Sequence, residues 1–122
     1  MRSYDDQNIF AKILRGEIPN DTVLDTEHTL AFRDIQPQAP VHVLVIPKGA
    51  YVDFAQFSAE ASDAEVLDYM RAIAEVCRLE GVEEEGFRAI SNAGRNGVQE
   101  VPHLHVHIIG GRPLGRMLQP AS

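Results

Sequence analysis

The sequence predicts an α+β protein built on an antiparallel sheet of about five strands, with one long helix and one or two short ones. The chain has 122 residues, of which 44% are hydrophobic and 24% charged, and this balance is typical of a single globular core. Several short stretches have the composition and spacing of strands, but only one long stretch has helical spacing. Because one long helix cannot supply the repeated crossovers of a parallel sheet, the strands should run antiparallel.

The N-terminal part of the chain predicts a short helix followed by three strands. Asn8 is suited to be the N-cap of an amphipathic helix that ends at Gly16. Residues 22–24 and 29–32, separated by a polar turn, are predicted to form a hairpin. A third strand is expected at residues 42–46, after a proline-rich turn.

The C-terminal part predicts the long helix and two more strands. Ser62 precedes Glu65 by three residues, which is the spacing of a capping box, and the helix should run over residues 62–79. Strands are expected at residues 87–91 and 103–109.

The charge of the chain excludes some partners. Lys and Arg number 11 against 18 Asp and Glu, giving a net charge of -7 and a pI near 5.1. This balance argues against long nucleic acids and anionic membranes, since both require positive charge. The acidic residues concentrate in residues 53–86, whereas residues 87–122 hold four Arg and one Glu. A small anionic ligand is therefore compatible with the C-terminal part.

Hydropathy and cysteine content indicate a cytoplasmic protein. The longest apolar runs have four residues, far fewer than the ~20 that a membrane helix needs. Residues 1–8 are polar and lack the features of a secretory signal. Cys77 is the single cysteine and shares a helical spacing with Val66 and Ile73, which predicts a core residue rather than a nucleophile.

Three of the five histidines alternate with apolar residues in the segment HLHVHI, residues 103–108. On a strand, the three histidines would share one face, directed toward a groove or solvent. Leu104, Val106 and Ile108 would share the other face and pack on the core. A row of imidazoles on one face indicates a functional site.

Two kinds of chemistry could use this row. Neighbouring histidines on a strand can bind zinc, but His103 and His107 would lie about 13 Å apart at ~3.3 Å per residue, so one ion would need ligands from elsewhere. A neutral imidazole can instead attack phosphorus while its neighbours orient it or stabilise the phosphate. The loop at residues 92–100 offers backbone N–H groups to a phosphate, although such a loop can also be a simple turn.

Two segments, DIQPQAPVHVLVIPK at residues 34–48 and HLHVHIIGGR at residues 103–112, closely resemble the histidine triad (HIT) family. The match is closest to its bacterial-type purine nucleoside phosphoramidase branch and extends over residues 9–118. It implies a single HIT domain over residues 1–122 whose sheet continues across a homodimer. It also implies hydrolysis of the P–N bond of adenosine or guanosine 5'-phosphoramidates without a cofactor, with aminoacyl adenylates as possible related substrates.

The resemblance also implies roles for particular residues. His105 would attack the α-phosphorus and form a nucleotidyl-histidine, and His107 would hydrogen-bond the phosphate. His103 with His42 would form a relay that orients the nucleophile and carries a proton to the leaving amine. The residues implied to bind the nucleotide are Asp34 and Ile35 at the ribose, Asn92, Val98, Gln99 and Glu100 at the phosphate, and Ile9, Phe10, Ile13, Phe32 and Leu44 at the base.

The residues themselves leave other interpretations open. Asp34 could be a turn residue, His42 a hydrogen-bonded core histidine, and Phe10 and Phe32 ordinary core residues. Glu100 stands where some family members have serine. We expect its backbone to matter rather than its carboxylate, since an inward-facing acid would repel a phosphate.

Alternatives also remain for the function as a whole. The same nucleophile would serve a dinucleoside polyphosphate hydrolase of another HIT branch. A nucleotide-binding regulatory module with incidental catalysis is a third hypothesis. Pro102 removes one N–H donor before the histidine segment, and the tail at residues 113–122 has no Trp, which leaves the preferred leaving group open.

Overall fold

The computed structural model describes residues 3–118 and confirms the predicted α+β fold. Residues 1–2 and 119–122, which belong to the predicted domain and C-terminal tail, lie outside the described residues. The elements in chain order are α1 (Ile9–Leu14), β1 (Thr22–Asp25), β2 (Thr29–Arg33), β3 (Val41–Pro47), α2 (Phe54–Glu60), α3 (Asp63–Leu79), β4 (Phe87–Ile90) and β5 (Val106–Gly110). The strands form one antiparallel sheet in the order β1-β2-β3-β5-β4.

The helix ends follow the predicted capping chemistry. The Asn8 side chain accepts a hydrogen bond from the Ala11 N–H at the start of α1. At the start of α3, Ser62 and Glu65 form the predicted capping box. Each cap satisfies backbone N–H groups that the first helical turn leaves unpaired, so both helices begin where the sequence places them.

Both faces of the central strands are covered, which is why β2 and β3 are buried along nearly their whole length. One face packs against α3 through a core cluster that includes Val43, Val45, Tyr69, Val76, Leu104, Val106 and Ile108. The other face packs against α1 through a second cluster of Phe10, Ile13, Leu30, Phe32, Leu44 and Ile46. The histidine side chains of β3 and β5 lie on this second face, which we call the α1 face.

Strand β5 begins at Val106, three residues later than predicted. The reason is Pro47 at the end of β3, which has no N–H to continue the ladder. The Pro47 carbonyl accepts instead from the ring of His103 at 2.8 Å, and the Leu104 N–H donates to the Tyr51 carbonyl at 2.8 Å. The predicted alternation still holds for the apolar residues, since Leu104, Val106 and Ile108 all lie in the core.

Two further predictions concern Cys77 and membrane spans. Cys77 is 2% exposed, which confirms it as a core residue, and burial raises the pKa of its thiol. Within residues 3–118, no helix combines the length and apolarity needed to cross a membrane.

Candidate active site

Two adjoining cavities open on the α1 face, with volumes typical of small-molecule sites. The first, which we call the histidine cavity, has a volume of about 270 Å³. The second, which we call the apolar cavity, has a volume of about 360 Å³. Phe10, Asp34, Gln36, Leu44, Glu100 and Val101 line both. The histidine cavity is also lined by Gln38, Asn92, Val98, His105 and His107, and the apolar cavity by residues that include Ile9, Ile13, Ile18, Phe32 and Ile35. Every residue predicted to bind the nucleotide except Gln99 therefore lines a cavity.

His105 is held in the protonation state that a nucleophile needs. Its Nδ1 lies 2.8 Å from the backbone carbonyl of His103, so Nδ1 carries the proton and donates it in a hydrogen bond. A neutral imidazole has only one N–H, which leaves the lone pair on Nε2. The Phe10 ring packs edge-on against the imidazole, with ring centroids 4.9 Å apart. His105 is thus a neutral, oriented imidazole that lines the histidine cavity and has a free lone pair on Nε2.

His107 and His42 form a hydrogen-bonded pair with assignable protons. The Gln38 backbone N–H donates to His42 Nδ1 at 3.1 Å, so the proton of neutral His42 is on Nε2. His42 Nε2 then donates to His107 Nδ1 at 2.9 Å. The remaining nitrogen of His107, Nε2, therefore carries a proton. Because His107 lines the histidine cavity, this N–H is available to an oxygen of a bound phosphate.

The strand alternation predicted that His103 faces a groove or solvent. In the structure, His103 is instead fully buried. Its Nε2 donates to the Pro47 carbonyl, and its Nδ1 lies 2.6 Å from the Tyr4 hydroxyl, which donates to it. The structure does not join His103 to His42, as the predicted relay would require, because His42 is hydrogen-bonded to His107. His103 contacts His105 through its backbone carbonyl rather than through its ring.

Burial lowers the pKa of all four histidines at the site. For His105, burial outweighs the hydrogen bond to the His103 carbonyl and the charges of Asp34 and Glu100, which act to raise its pKa. Burial lowers the pKa of His103 to about 4, and burial together with its histidine neighbours lowers that of His107 to about 4. Burial also lowers the pKa of His42, against the attraction of Asp34. The four rings are therefore neutral at neutral pH, as their hydrogen bonds require.

These shifts predict how stability depends on pH. Between the unfolded pKa of about 6.5 and the folded pKa of about 4, the unfolded chain binds protons at His103 and His107 that the folded chain does not. The free energy of unfolding should therefore fall as pH is lowered from about 7 to 5, by about 2 kcal/mol after allowance for screening at partly exposed His107. Urea denaturation at pH 7, 6 and 5 measures this, in a range where carboxylates with unperturbed pKa values of about 3.9 to 4.3 stay mostly ionised. A free energy of unfolding that does not change across this range would contradict the burial of neutral histidines.

Asp34 lies at the junction of the two cavities. Its Oδ1 accepts from the Gln36 N–H at 2.8 Å, and its Oδ2 lies 3.4 Å from His42 Nε2. The Gln36 contact is the turn geometry that the sequence left open, but the side chain also remains partly exposed and lines both cavities. Asp34 therefore has the turn contact, and its partly exposed side chain also lines both cavities, while its contact with a ribose stays a prediction.

Gln99 stabilises the loop between β4 and β5, because its polar groups form hydrogen bonds within the protein. Its Oε1 accepts from the Gly94 N–H, its Nε2 donates to the carbonyls of Val52 and Val101, and its own N–H donates to the Gly94 carbonyl. Gln99 therefore holds the loop and lines neither of these two cavities, and its contact with a phosphate stays a prediction. Its neighbour Val98, at a positive φ of 56°, is 70% exposed and lines the histidine cavity.

The sequence made a small anionic ligand compatible with the arginine-containing part at residues 87–122, but none of its four arginines lines the two cavities. Arg88 donates to the carbonyls of Gly115 and Arg116, and Arg112 donates to the carbonyls of Gln38 and Pro113. Among the described residues that line the histidine cavity, none is Lys or Arg, and two, Asp34 and Glu100, are acidic. A bound phosphate would therefore rely on N–H donors rather than on basic side chains.

The sequence predicts that no metal is required, although the histidine row could bind one, and residues 3–118 contain one grouping of possible metal ligands. Asp34, His42 and His107 each place a potential ligand atom within 4.8 Å of the others. However, the Gln38 N–H occupies the lone pair of His42 Nδ1, so the Nε2 that faces the other two residues carries a proton. Zinc binds the lone pair of a neutral imidazole, so this hydrogen-bonded arrangement does not fit a resident ion.

Sequence reasoning missed Tyr4 and Gln38. Tyr4 contacts His103 across 99 positions of sequence, and Gln38 acts through its backbone N–H. Neither contact has a local sequence pattern that could have revealed it.

The fold and the site together define a class: a small α+β protein with a neutral histidine whose Nε2 lone pair is free, and a histidine N–H donor, beside an apolar cavity. The HIT domain family matches residues 15–114, and the chain belongs to this family. The predicted family resemblance is thereby confirmed.

Particular relatives refine this assignment. The chain is 58% identical over 117 residues to an uncharacterized 13.2 kDa HIT-like protein of Azospirillum brasilense, covering 96% of each chain. It is 46% identical over 114 residues to the purine nucleoside phosphoramidase of Escherichia coli K12, covering 93% of this chain and 94% of that relative. It is 43% identical over 115 residues to a protein of Zea mays named a 14 kDa zinc-binding protein, covering 93% and 90%. The crystal structure of a HIT family hydrolase from Legionella pneumophila Philadelphia 1 superposes with a TM-score of 0.79 at 39% identity, covering 88% of this chain and 95% of that one. These similarities support a hydrolase.

Proposed function

We propose that the protein is a purine nucleoside phosphoramidase that hydrolyses the P–N bond of adenosine or guanosine 5'-phosphoramidates. The observation that carries the proposal is the hydrogen bond from His105 Nδ1 to the His103 carbonyl, which leaves the Nε2 lone pair of a cavity-lining histidine free to attack phosphorus. The similarity to the Escherichia coli phosphoramidase supports the same bond specificity.

The reaction proceeds in two displacements at phosphorus. In the first, His105 Nε2 forms a bond to the α-phosphorus, the P–N bond breaks, and the amine leaves with a proton taken up from solvent, while the Nδ1 proton of His105 stays in its hydrogen bond to the His103 carbonyl. In the second, water attacks the phosphorus and gives up a proton to solvent, the bond to Nε2 breaks, and the nucleoside monophosphate is released. His107 Nε2–H donates to a phosphate oxygen in both transition states, and His42 keeps that proton in place through its bond to His107 Nδ1. Aminoacyl adenylates, which carry the same nucleotidyl group, are possible further substrates.

The remaining cavity residues suit the nucleoside. The base would lie in the apolar cavity against Phe10 and Phe32, whose rings pack edge to face at 5.7 Å. Asp34, at the junction of the cavities, would accept hydrogen bonds from the ribose hydroxyls. Phe10 and Phe32 also belong to the second core cluster, so both of the interpretations left open for them hold in part.

The proposal is tested with two substrates for the same nucleophile. Purified protein should turn over an adenosine 5'-phosphoramidate at least ~100-fold faster in kcat/KM than a diadenosine polyphosphate. The same rates are expected after dialysis against a chelator, because no step passes through a metal. Release of adenosine monophosphate, followed by chromatography, measures both reactions.

Two other results would contradict the proposed function or its mechanism. Faster turnover of the diadenosine polyphosphate would identify a hydrolase of another HIT branch. Loss of activity on chelation, restored by zinc, would show that the reaction needs a metal and would contradict a mechanism without one.

We also propose that the protein acts as a cytoplasmic homodimer with no long nucleic-acid or membrane partner. The net charge of -7 supports the last point. For the dimer, β4 is an edge strand of the sheet within residues 3–118, and its Phe87 is 44% exposed. Light scattering should give twice the chain mass of 13.5 kDa, whereas a monomer at assay concentration would contradict the dimer.

A further inference from the structure

Within residues 3–118, the wall of the histidine cavity has acidic residues but no basic ones. Its lining includes Asp34 and Glu100, and none of the described residues that line it is Lys or Arg. The apolar cavity adds one basic residue, Arg33, but its guanidinium is paired with Glu80 at 2.9 Å and Asp21 at 3.4 Å. A substrate with more than one negative charge near the reacting phosphorus would therefore meet uncompensated repulsion.

The two carboxylates are not equivalent. Both oxygens of Asp34 are engaged, one by the Gln36 N–H and the other near His42 Nε2. The Glu100 carboxylate has no hydrogen-bond or ion-pair partner within the described part of the chain. Glu100 is nevertheless close to the reacting centre, because it lines the same cavity as His105 and His107. Its charge and that of Asp34 accordingly act to raise the pKa of His105, against the larger effect of burial. Glu100 thus presents an unneutralised charge to any group bound beside the nucleophile.

We propose that Glu100 selects substrates by the charge of their leaving group, so that cationic or neutral amines are accepted and carboxylate- or phosphate-bearing ones are rejected. The inference rests on the proposed phosphoramidase activity. It differs from the expectation that only the Glu100 backbone matters. In the first displacement the P–N bond breaks and the amine departs with its substituent, so an anionic substituent stays near Glu100 until it leaves. A cationic substituent is attracted at the same position.

A set of three adenosine 5'-phosphoramidates of matched length tests this proposal. Their amines carry a 3-aminopropyl group (cationic), a propyl group (neutral) or a 2-carboxyethyl group (anionic). In the wild-type protein, kcat/KM should be about tenfold or more higher for the cationic than for the anionic substrate at low salt. The ratio should shrink as ionic strength rises, because the interaction is electrostatic.

Two variants identify the residue responsible. Glu100→Gln keeps the size of the side chain and removes its charge, and should bring the cationic-to-anionic ratio close to one. Glu84→Gln is the matched control, because Glu84 is exposed and lines neither cavity, and it should keep the wild-type ratio. Thermal unfolding of both variants checks that they are folded.

The outcomes separate this inference from the proposed function. A wild-type ratio near one, a ratio insensitive to salt, or a ratio unchanged by Glu100→Gln would overturn the role of Glu100 while leaving the phosphoramidase activity established by the neutral substrate. If none of the three substrates is turned over, the proposed function itself fails and the inference fails with it.

Discussion

Replacing His105 with alanine should reduce kcat for an adenosine 5'-phosphoramidate by at least about 10³-fold. The reason is that Nε2 of His105 is the one nitrogen on the cavity wall whose lone pair the hydrogen bonds leave free. His107, the other histidine on that wall, uses its Nδ1 lone pair to accept from His42 and presents an N–H instead. A hydrogen-bond donor cannot replace a nucleophile, so His107 should not restore turnover.

Nucleotide binding should persist in this variant, because the apolar cavity and Asp34 are unchanged. Calorimetric titration with adenosine monophosphate measures binding, and acid quenching with labelled substrate should trap a nucleotide on the wild-type protein but none on His105→Ala. His28→Ala is the matched control, since His28 lines neither cavity, and it should keep wild-type turnover. Near-normal turnover by His105→Ala, or loss of binding in parallel with turnover, would show that His105 is not the nucleophile.

Replacing Leu104, the residue before His105, should affect the stability of the protein rather than its reaction. Leu104 is 1% exposed and packs in the core cluster beneath α3, on the other face of the segment from His105. Leu104→Ala should lower the free energy of unfolding by about 2–5 kcal/mol, through lost burial and the cavity left behind. For a domain whose total stability is of the order of 5–15 kcal/mol, this is a large fraction.

Urea denaturation at pH 7 measures the effect of Leu104→Ala. The control is the same substitution at Leu67, which lies on α3 but is 57% exposed, and it should change stability by less than about 0.5 kcal/mol. If Leu104→Ala and Leu67→Ala cost the same, the division of the histidine segment into a core face and a site face would be wrong.

Local patterns were sufficient to predict much of the fold. Ser62 and Glu65 set the start of α3, because a capping box needs only residues that are close in sequence. The apolar alternation from Leu104 to Ile108 predicted the core face for the same reason. The start of β5 could not be predicted from that alternation, because it depends on Pro47 in a different strand.

For the site, the sequence by itself determined which residue types are available and, through the family resemblance, which positions surround the cavities. The tertiary structure alone decided how they are connected. The pairing of β3 with β5 joins His42 to His107 rather than to His103, and the N-terminal segment brings Tyr4 to His103. The position of each proton follows from these contacts, since a neutral imidazole donates from whichever nitrogen meets an acceptor. The tertiary structure also decided which charged side chains lie at the cavities. Arg88 and Arg112 are close to the site in sequence but bind backbone carbonyls, whereas Glu100 lines both cavities.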